Sequence, residues 1–412
     1  MKKTFFLITV LLMYCATTLQ AQTIDHGAPQ RMWTVPTVFE VDKPVTFYFD
    51  MTDTGFKEGT ELYLWCWNPT EPDAGNWGHS SDFAHLTYEG DNIYSITMTP
   101  TSYFSGGTTG KTPEDIYAIC QSDDWPGFWA RLKTRDGSEE SDVFQATDSR
   151  ATWKSIKQSG NGVTFEAAAF QGNTLSLTDK FTLNQPLTIV FNPDVFNIGG
   201  TTMTEYAKQA GFNSFNLHSG LNDWTYLQNV AAWDAKCVEK TKLQKQSNGF
   251  YTISMKTVYD YYSYNFPNND GVSAPTGLET DTEIDNLSWL LVGVVNGVWK
   301  DSSPDAVQKA GTAEVYPDPQ FTIFPTKVCA KDILTLTRKY NGKRDGNITY
   351  TLKANEKTIE GIMEGNRDKR QKSVDLSTLT EGSNASSIII TLKNEAGKLL
   401  VNTEISLTQP DE

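Results

Sequence analysis

The residues best suited to chemistry form an aromatic set within ELYLWCWNPTEPDAGNWG, residues 61–78. Two sets of side chains alternate at its start: Leu62, Leu64 and Cys66, and Tyr63, Trp65 and Trp67. Successive side chains of a β-strand point to opposite faces, so the first set can line a core while the second faces away from it. Large aromatic rings can stack on sugar rings or fill a protein interface. The segment therefore predicts a strand with one core face and one aromatic binding face.

Tryptophan is frequent in the chain, with 11 among 412 residues, and several lie beside Asn or Asp. Such polar neighbours could bond sugar hydroxyls while the rings bury apolar area. The candidate carbohydrate-binding residues are Tyr63, Trp65, Trp67, Asn68, Trp77, Trp125, His218, Trp224 and Trp233. The alternative for any of these rings is a place in a hydrophobic core or in a protein interface.

An internal repeat organises the chain. The matching pairs are FEVDKPVTFYFD (39–50) with FTLNQPLTIVFN (181–192), GDNIYSITM (90–98) with SNGFYTISM (247–255), and DWPGFW (124–129) with VVNGVW (294–299). The matched segments are rich in β-branched and aromatic residues and are bounded by Gly, Asn, Asp or Pro, which is typical of strands and turns. We therefore expect two copies of one β-sandwich, and we expect the recurring Trp129 and Trp299 to fill cores.

The predicted fold class is all-β, with three tandem antiparallel β-sandwich domains of immunoglobulin-like type after a cleaved signal peptide. The predicted parts are a signal peptide (1–21), module one (22–150), a closing strand and linker (151–178), module two (179–320) and a smaller C-terminal sandwich (321–412). The only helix expected is a short one in TEYAKQAG, residues 204–211.

The N-terminus predicts export. Lys2 and Lys3 precede an apolar run from Phe5 to Tyr14, and a small residue, Ala21, supplies the expected cleavage site. The mature protein is then expected outside the cell, at its surface or in the periplasm. No other run approaches the roughly 20 apolar residues of a membrane span, so no span is expected. The net charge of −15 disfavours nucleic acid as a partner, because an acidic surface repels phosphates.

The cysteines predict no metal site, because they lack the short spacings of zinc ligands. Cys66 and Cys120 both lie in strand-like segments of module one, so either a disulfide joins them or both are buried free thiols. The alternating acids of GLETDTEID (277–285) could bind Ca²⁺, but a solvated charged edge is the favoured interpretation. No cofactor is expected.

Catalytic motifs are scarce. The four histidines occur in no HExxH motif, and no GxSxG elbow is present. SGGTTGKT (105–112) departs from a phosphate-binding loop because Ser105 stands where the motif needs Gly. A glycosidase needs only two carboxylates, but two short sandwiches in tandem offer no obvious deep cleft. The sequence therefore favours a protein that is not an enzyme.

Residues 35–320 resemble a known family. LYLWCWNP, Trp77 and LTYEGDNIYSITM resemble the starch-binding β-sandwich modules of bacterial amylases. NLHSGLNDWTYLQNVAAW (216–233) resembles a segment of the modules that precede catalytic domains in amylases of Bacteroides-like bacteria. The resemblance implies α-glucan binding, and it carries ligand-face positions over to Trp65, Trp67 and Trp77 in module one and to His218, Trp224 and Trp233 in module two. No catalytic barrel follows these modules, which favours a stand-alone binding protein.

The two modules differ on the face of interest. Aligning the strand of module one with SFNLHSG (214–220) places Tyr63, Trp65 and Trp67 on Asn216, His218 and Gly220. The aromatic face is therefore specific to module one. We expect an exported, non-catalytic protein that binds a polysaccharide or oligosaccharide. The alternative is a structural or adhesive cell-surface protein whose aromatic faces contact other proteins.

Overall fold

A computed structural model describes most of the chain. The described ranges are 23–52, 54–171, 174–211, 214–266, 274–311, 320–339, 347–365, 369–382, 384–394 and 397–408. The predicted signal peptide at 1–21 lies outside them. No helix of the described residues is long and apolar enough to cross a membrane.

Module one is a β-sandwich. Its strands are β1 (Ile24–His26), β2 (Arg31–Val35), β3 (Val45–Asp50), β4 (Tyr63–Asn68), β5 (Thr87–Gly90), β6 (Ile93–Met98), β7 (Phe128–Lys133), β8 (Glu139–Ser141) and β9 (Phe144–Ala146). One sheet has the order β1-β8-β7-β4, with β9 also paired to β7, and the other has the order β2-β3-β6-β5. A 3-10 turn, Asp82–Ala84, and two helices, α1 (Pro100–Phe104) and α2 (Pro113–Gln121), occupy the connections. The core lies between the two sheets.

A third helix, α3 (Arg150–Ile156), leads into module two. The strands of this module are β10 (Val163–Gln171), β11 (Thr174–Thr178), β12 (Leu187–Phe191), β13 (Asn197–Ile198), β14 (Thr201–Thr202), β15 (Ser214–Gly220), β16 (Tyr226–Gln228), β17 (Gln244–Lys245), β18 (Tyr251–Met255), β19 (Tyr264–Asn265), β20 (Ala274–Pro275), β21 (Asn286–Val295), β22 (Val298–Ser302) and β23 (Ala306–Lys309). Its short helical segments are α4 (Met203–Ala210), α5 (Leu221–Trp224), α6 (Ala235–Thr241) and α7 (Val258–Tyr262). The two main sheets have the orders β11-β10-β12-β18-β17 and β16-β15-β21-β22, and β23 also pairs with β21.

Module three is a smaller β-sandwich. Its strands are β24 (Gln320–Phe324), β25 (Val328–Cys329), β26 (Ile333–Lys339), β27 (Thr349–Ala354), β28 (Lys357–Ile362), β29 (Glu364–Gly365), β30 (Lys369–Asp375), β31 (Ser387–Lys393) and β32 (Leu399–Thr408), with one short helix, α8 (Ser377–Thr380). Its sheets have the orders β24-β26-β30-β29 and β25-β32-β31-β27-β28. The predicted class of three tandem sandwiches is confirmed. Modules one and two belong to one compact unit, and module three forms a second.

Strand register confirms two of the three repeat matches. Val45 pairs with Met98 in module one, and the equivalent Leu187 pairs with Met255 in module two. The third match, DWPGFW with VVNGVW, is wrong. Its first copy leads into β7, whereas its second copy forms the turn after β21. Strands β7 and β21 are nevertheless equivalent, because each pairs along the whole of its neighbour, β4 or β15.

Two further predictions need correction. Residues 151–178 do not close module one: β10 pairs with β12 and β11, so it belongs to module two, where Phe165 and Ala167 enter the core. Cys120 lies on helix α2 and not on a strand. Of the two alternatives for Cys66 and Cys120, the structure has the second: both are buried free thiols, and no disulfide joins them. Burial in an apolar core raises the pKa of both thiols, which keeps them protonated.

Modules one and two share an apolar joint. Helix α3 contributes Trp153 and Ile156, which pack with Val38 of module one and with Val190 and Phe250 of module two. A hydrogen bond crosses the same joint: the Thr37 N–H donates to Thr188 Oγ1 at 3.0 Å. The two sandwiches therefore have a common hydrophobic cluster, which ties them into one unit.

Candidate ligand-binding surfaces of modules one and two

The core face of the aromatic strand is as predicted. Leu62, Leu64 and Cys66 are buried in the core of module one. The opposite face differs from expectation, because Tyr63 is fully buried and Trp65 is only 8% exposed. Neither ring offers an open face to a ligand from solvent.

A lysine from the neighbouring strand lies over this aromatic face. Lys133 is fully buried, and its Nζ lies 5.3 Å from the ring centroid of Trp65 and 5.0 Å from that of Trp77. The same Nζ donates to the Trp77 carbonyl oxygen at 2.6 Å. Burial lowers the pKa of the Lys133 amine, while nearby carboxylates, Asp73 first, oppose that shift. Cation–π contacts and the carbonyl bond together hold the charge in place of water.

The loop that carries Trp77 is fastened from within by Asp73. Its Oδ1 accepts from Asn76 Nδ2 (2.8 Å) and from Ser81 Oγ (2.7 Å), and its Oδ2 accepts from the Ser81 N–H (2.9 Å). Gly137 allows the close approach of Trp77, because a Cβ at this left-handed position would lie 2.5 Å from Trp77 Nε1. Residues 70–82 thus form a loop that is held by these bonds and covers Trp65.

Tyr63 is covered by a second cation. The Arg135 guanidinium carbon lies 4.6 Å from the Tyr63 ring centroid, and Arg135 also forms an ion pair with Asp82 at 2.6 Å. The His85 ring packs 4.9 Å from the Tyr63 ring on another side. Of the aromatic set on β4, Trp67 alone has an exposed side chain (37%).

Trp125 and Asn68 have structural roles. Trp125 is 4% exposed and packs edge-on against Phe128, with ring centroids 4.7 Å apart. Its Nε1 donates to Asn68 Oδ1 at 3.2 Å, which satisfies both polar groups. The Arg150 guanidinium lies 4.6 Å from the Trp125 ring centroid. Trp125 is therefore part of the core and not of an open ligand surface.

Module two is different, because the equivalent face carries exposed rings. His218 of β15 lies between two tryptophans, with ring centroids 5.2 Å from Trp224 and 5.4 Å from Trp299. Trp299 is 39% exposed, so the prediction that it fills the core is wrong. It pairs with Val294 across the β21–β22 hairpin, which places it on the outer face beside His218. The sequence signal was the Asn-Gly turn at 296–297, which predicts a hairpin and therefore places Trp299 on a new strand, β22, at the edge of the sheet.

A tight left-handed turn presents Trp224. Asn222, Asp223 and Trp224 have φ values of 49°, 52° and 70°, a strained conformation for three successive residues with side chains. Reciprocal bonds between Asp223 and Asn286, at 3.1 Å each, help to hold the turn. Gly220 makes room for it, because a Cβ there would lie 2.8 Å from Trp224 Cα. Strain kept in place by specific bonds is characteristic of functional sites.

The loop 229–233 brings Trp233 to the same region. The Val230 N–H donates to His218 Nδ1 at 3.2 Å, and the Ala231 N–H donates to Cys237 Sγ at 3.1 Å. Val230 and Ala232 pack on the outer face of β21, and the Ala232 oxygen lies beside the turn at Gly297. Trp233 itself is 72% exposed. We call His218, Trp224, Trp233 and Trp299 the aromatic surface of module two.

Burial lowers the pKa of His218, and the Asp305 carboxylate and a hydrogen bond with the Asn229 side chain oppose this shift. The ring is therefore neutral at pH 7. Because Nδ1 accepts the Val230 N–H, the proton of the neutral ring is on Nε2. The surface thus offers aromatic faces and polar groups on neighbouring elements of module two.

A separate groove of about 490 Å³ opens between β10 and β23 of module two. Its walls include Phe165, Phe196 and Trp289, and Asp179 is the one carboxylate among its lining residues. Hydrolysis of a glycosidic bond generally needs two carboxylates at a fixed separation. Among the residues that the structure describes, no group of three or more His, Cys, Asp or Glu side chains could hold a metal ion.

Comparison with known proteins adds little to this geometry. No protein-family model matches the sequence, and no curated protein matches it. One similar solved structure is that of the chicken CNTN1 FN1-FN3 domains, with 8% identity, a TM-score of 0.18, and 93% of this chain and 100% of that chain covered. Another is a tetra-tandem repeat in the extending region of a large adhesion protein, with 11% identity, a TM-score of 0.20, and 92% and 74% covered. The sheets themselves define the class: an all-β protein of tandem immunoglobulin-like sandwiches.

Proposed function

We propose that the protein is an exported, non-catalytic binding protein that holds a glycan on the aromatic surface of module two. The observation that carries the proposal is the placement of His218 between the half-exposed rings of Trp224 and Trp299. Rings fixed at different angles can contact successive sugar units, and nearby polar groups can bond their hydroxyls. The resemblance to starch-binding modules makes an α-glucan the first ligand to test.

The same proposal gives module one a smaller part in binding. Tyr63, Trp65 and Trp125 are buried, and Trp77 lies over a lysine of its own module. Trp67 remains as an exposed ring that could add a contact. The single carboxylate of the groove between β10 and β23 supports a non-catalytic role.

Calorimetry against amylose, glycogen, xylan and host glycans tests the proposal. Trp224→Ala and Trp299→Ala should each weaken binding by roughly tenfold or more, because each removes an aromatic stacking face. Phe324→Ala is the matched control, since Phe324 is an exposed aromatic of module three and should leave binding unchanged. Failure to bind any glycan of the panel, or binding that both tryptophan variants retain, would reject the proposal.

A second candidate function is protein binding at the same surface. Val298, an aliphatic residue that sugar stacking does not require, is exposed beside Trp299. Exposed apolar side chains next to aromatics are typical of protein interfaces. Light scattering of the purified protein with and without glycan separates the two functions. Self-association that Val298→Ser abolishes and that glycan does not affect would favour the protein interface.

A further inference from the structure

His218 also holds the loop that carries Trp233. It is the acceptor for the Val230 N–H, and Val230 is almost fully buried against β21. The loop that follows carries Trp233 to the aromatic surface. The position of Trp233 therefore depends on a lone pair at His218 Nδ1, which exists only while the ring is neutral.

Protonation changes this bond from attraction to repulsion. The imidazolium carries hydrogens on both nitrogens, so Nδ1–H and the Val230 N–H would face each other as two donors. A buried backbone N–H without an acceptor is costly, and the loop would have to shift to relieve it. Other bonds of the loop run elsewhere: the Ala231 N–H and the Asn229 carbonyl oxygen bond Cys237, and the Asn229 N–H bonds Asn265. The Asn229 side chain also bonds the His218 ring and favours its charged form, so protonation is expected to act on the loop through the Val230 bond.

Five charged residues lie on or next to the elements that contact the ring. They are Asp223, Asp234, Lys300, Asp301 and Asp305. Asp223 is bonded to Asn286, Asp234 accepts from the Cys237 N–H, and Asp301 accepts from the Ser302 N–H. Asp305 is the carboxylate that acts on His218. Burial, Asp305 and the Asn229 side chain thus set the pH at which the ring gains its proton.

We propose that His218 is a positioning residue that makes the aromatic surface of module two pH-sensitive, because its neutral ring holds the loop 229–233 and its protonated ring releases it. The inference rests on the proposed function for its effect on ligand binding. The loop movement itself can be observed without any ligand. The surface is then complete near neutral pH and loses the contribution of Trp233 in acid.

Amide hydrogen exchange of Val230 in the full chain tests the release directly. His218→Asn is the matched variant, because its Oδ1 replaces Nδ1 as an acceptor and does not titrate. The ratio of wild-type to variant exchange rates at each pH removes the intrinsic pH dependence of exchange. We expect a ratio near one at pH 8 that rises about tenfold by pH 5. Asp305→Asn should move the rise to lower pH, because it removes the carboxylate that favours the charged ring.

Affinity for maltoheptaose provides the second readout. Wild-type affinity should fall several-fold from pH 8 to pH 5, while that of His218→Asn should stay constant. A ratio of Val230 exchange rates that does not change with pH overturns the inference. An equal loss of affinity in the wild-type protein and in His218→Asn also overturns it. A pH-dependent ratio without any glycan binding would reject the proposed function and support the coupling of His218 to the loop.

Discussion

Strands β4 and β15 are equivalent in the internal repeat, yet their outer faces have different covers. In module one, Tyr63 pairs with Lys133, whose charge is held between Trp65 and Trp77. In module two, the corresponding pair is Asn216 with Val292, and the loop 229–233 packs on Val292. The loop 70–82 of module one covers the aromatic residues of β4, whereas the loop 229–233 of module two leaves tryptophans exposed beside it.

The difference teaches that an aromatic residue on an outer strand face is not by itself an open platform. What decides exposure is the next connection along the chain. Residues 70–82 are fastened by Asp73 over the sheet, while the connection after β15 turns sharply at residues 222–224 and presents Trp224 outward. The module richer in aromatics on this strand is therefore the less accessible one.

The largest expected effect is a difference in stability between variants of a buried ring, Trp65, and of a partly exposed ring, Trp299. Trp65→Ala should lower the free energy of unfolding of module one by about 3–5 kcal/mol, because it leaves a cavity and removes a contact of Lys133. Trp299→Ala should lower that of module two by about 1 kcal/mol or less, since its ring is partly in solvent. Urea titration of each variant measures the two values. Equal losses would contradict the distinction between a sealed and an open face.

The next prediction concerns the loop 70–82, which covers Trp65 in module one. Asp73→Ala should destabilise module one by about 1–2 kcal/mol, because it leaves the partly buried Ser81 N–H and two further donors without their acceptor. Proteolysis should then cut within residues 70–82. Glu71→Ala, two positions earlier in the same loop, is the control. Resistance of the Asp73 variant to protease would show that Lys133 and Trp77 hold the cover without it.

The next prediction concerns the left-handed turn at residues 222–224, which presents Trp224 in module two. Gly220→Ala should cost about 2 kcal/mol and weaken glycan binding, because its Cβ would press on Trp224 Cα. Gly160→Ala is the matched control, since a Cβ there would contact nothing within 4 Å. Unfolding and calorimetry on the same preparations give both values. Full binding by the Gly220 variant would mean that Trp224 does not contribute.

Alternation and turn residues were sufficient to predict the sandwiches and the core face of β4. Helix α2 was missed, although Thr112, Pro113 and Asp115 form a helix start with a reciprocal capping box. β-Propensity of the apolar residues in this segment hid that signal. The assignment of β10 to module one failed for another reason: pairing partners are non-local and cannot be read from alternation alone.

The candidate site was harder to predict than the fold. His218, Trp224 and Trp233 were identified from motifs, and the structure places His218 and Trp224 in contact. Burial of Trp65 depends on Lys133, which is about 70 residues away, and period-two alternation contains no information on that distance. Trp299 was misassigned because the third repeat match aligned a strand with a turn.

The smallest expected effect concerns a position where the repeat itself differs: Glu40 of module one aligns with Thr182 of module two. Glu40 is buried near the joint, and burial, with Asp42 as a second cause, raises its pKa to about 7. An unfolded chain has a Glu pKa of about 4.3, so the folded form binds the extra proton between these values. The stabilising contribution is thus present at low pH and is lost as pH rises through about 7.

Glu40→Gln removes this titration while it keeps the size of the side chain. Wild-type module one should lose about 1 kcal/mol of unfolding free energy from about pH 6.5 to about pH 8 through this group, and the variant should not. The difference between the two proteins, measured by urea titration at each pH, cancels the effects of other titrating groups. Between about pH 6.5 and about pH 8, the unfolding free energy of the variant should therefore fall less than that of the wild-type protein. Parallel pH profiles would mean that water reaches Glu40 well enough to keep its carboxylate charged, and that the joint does not distinguish the two modules electrostatically.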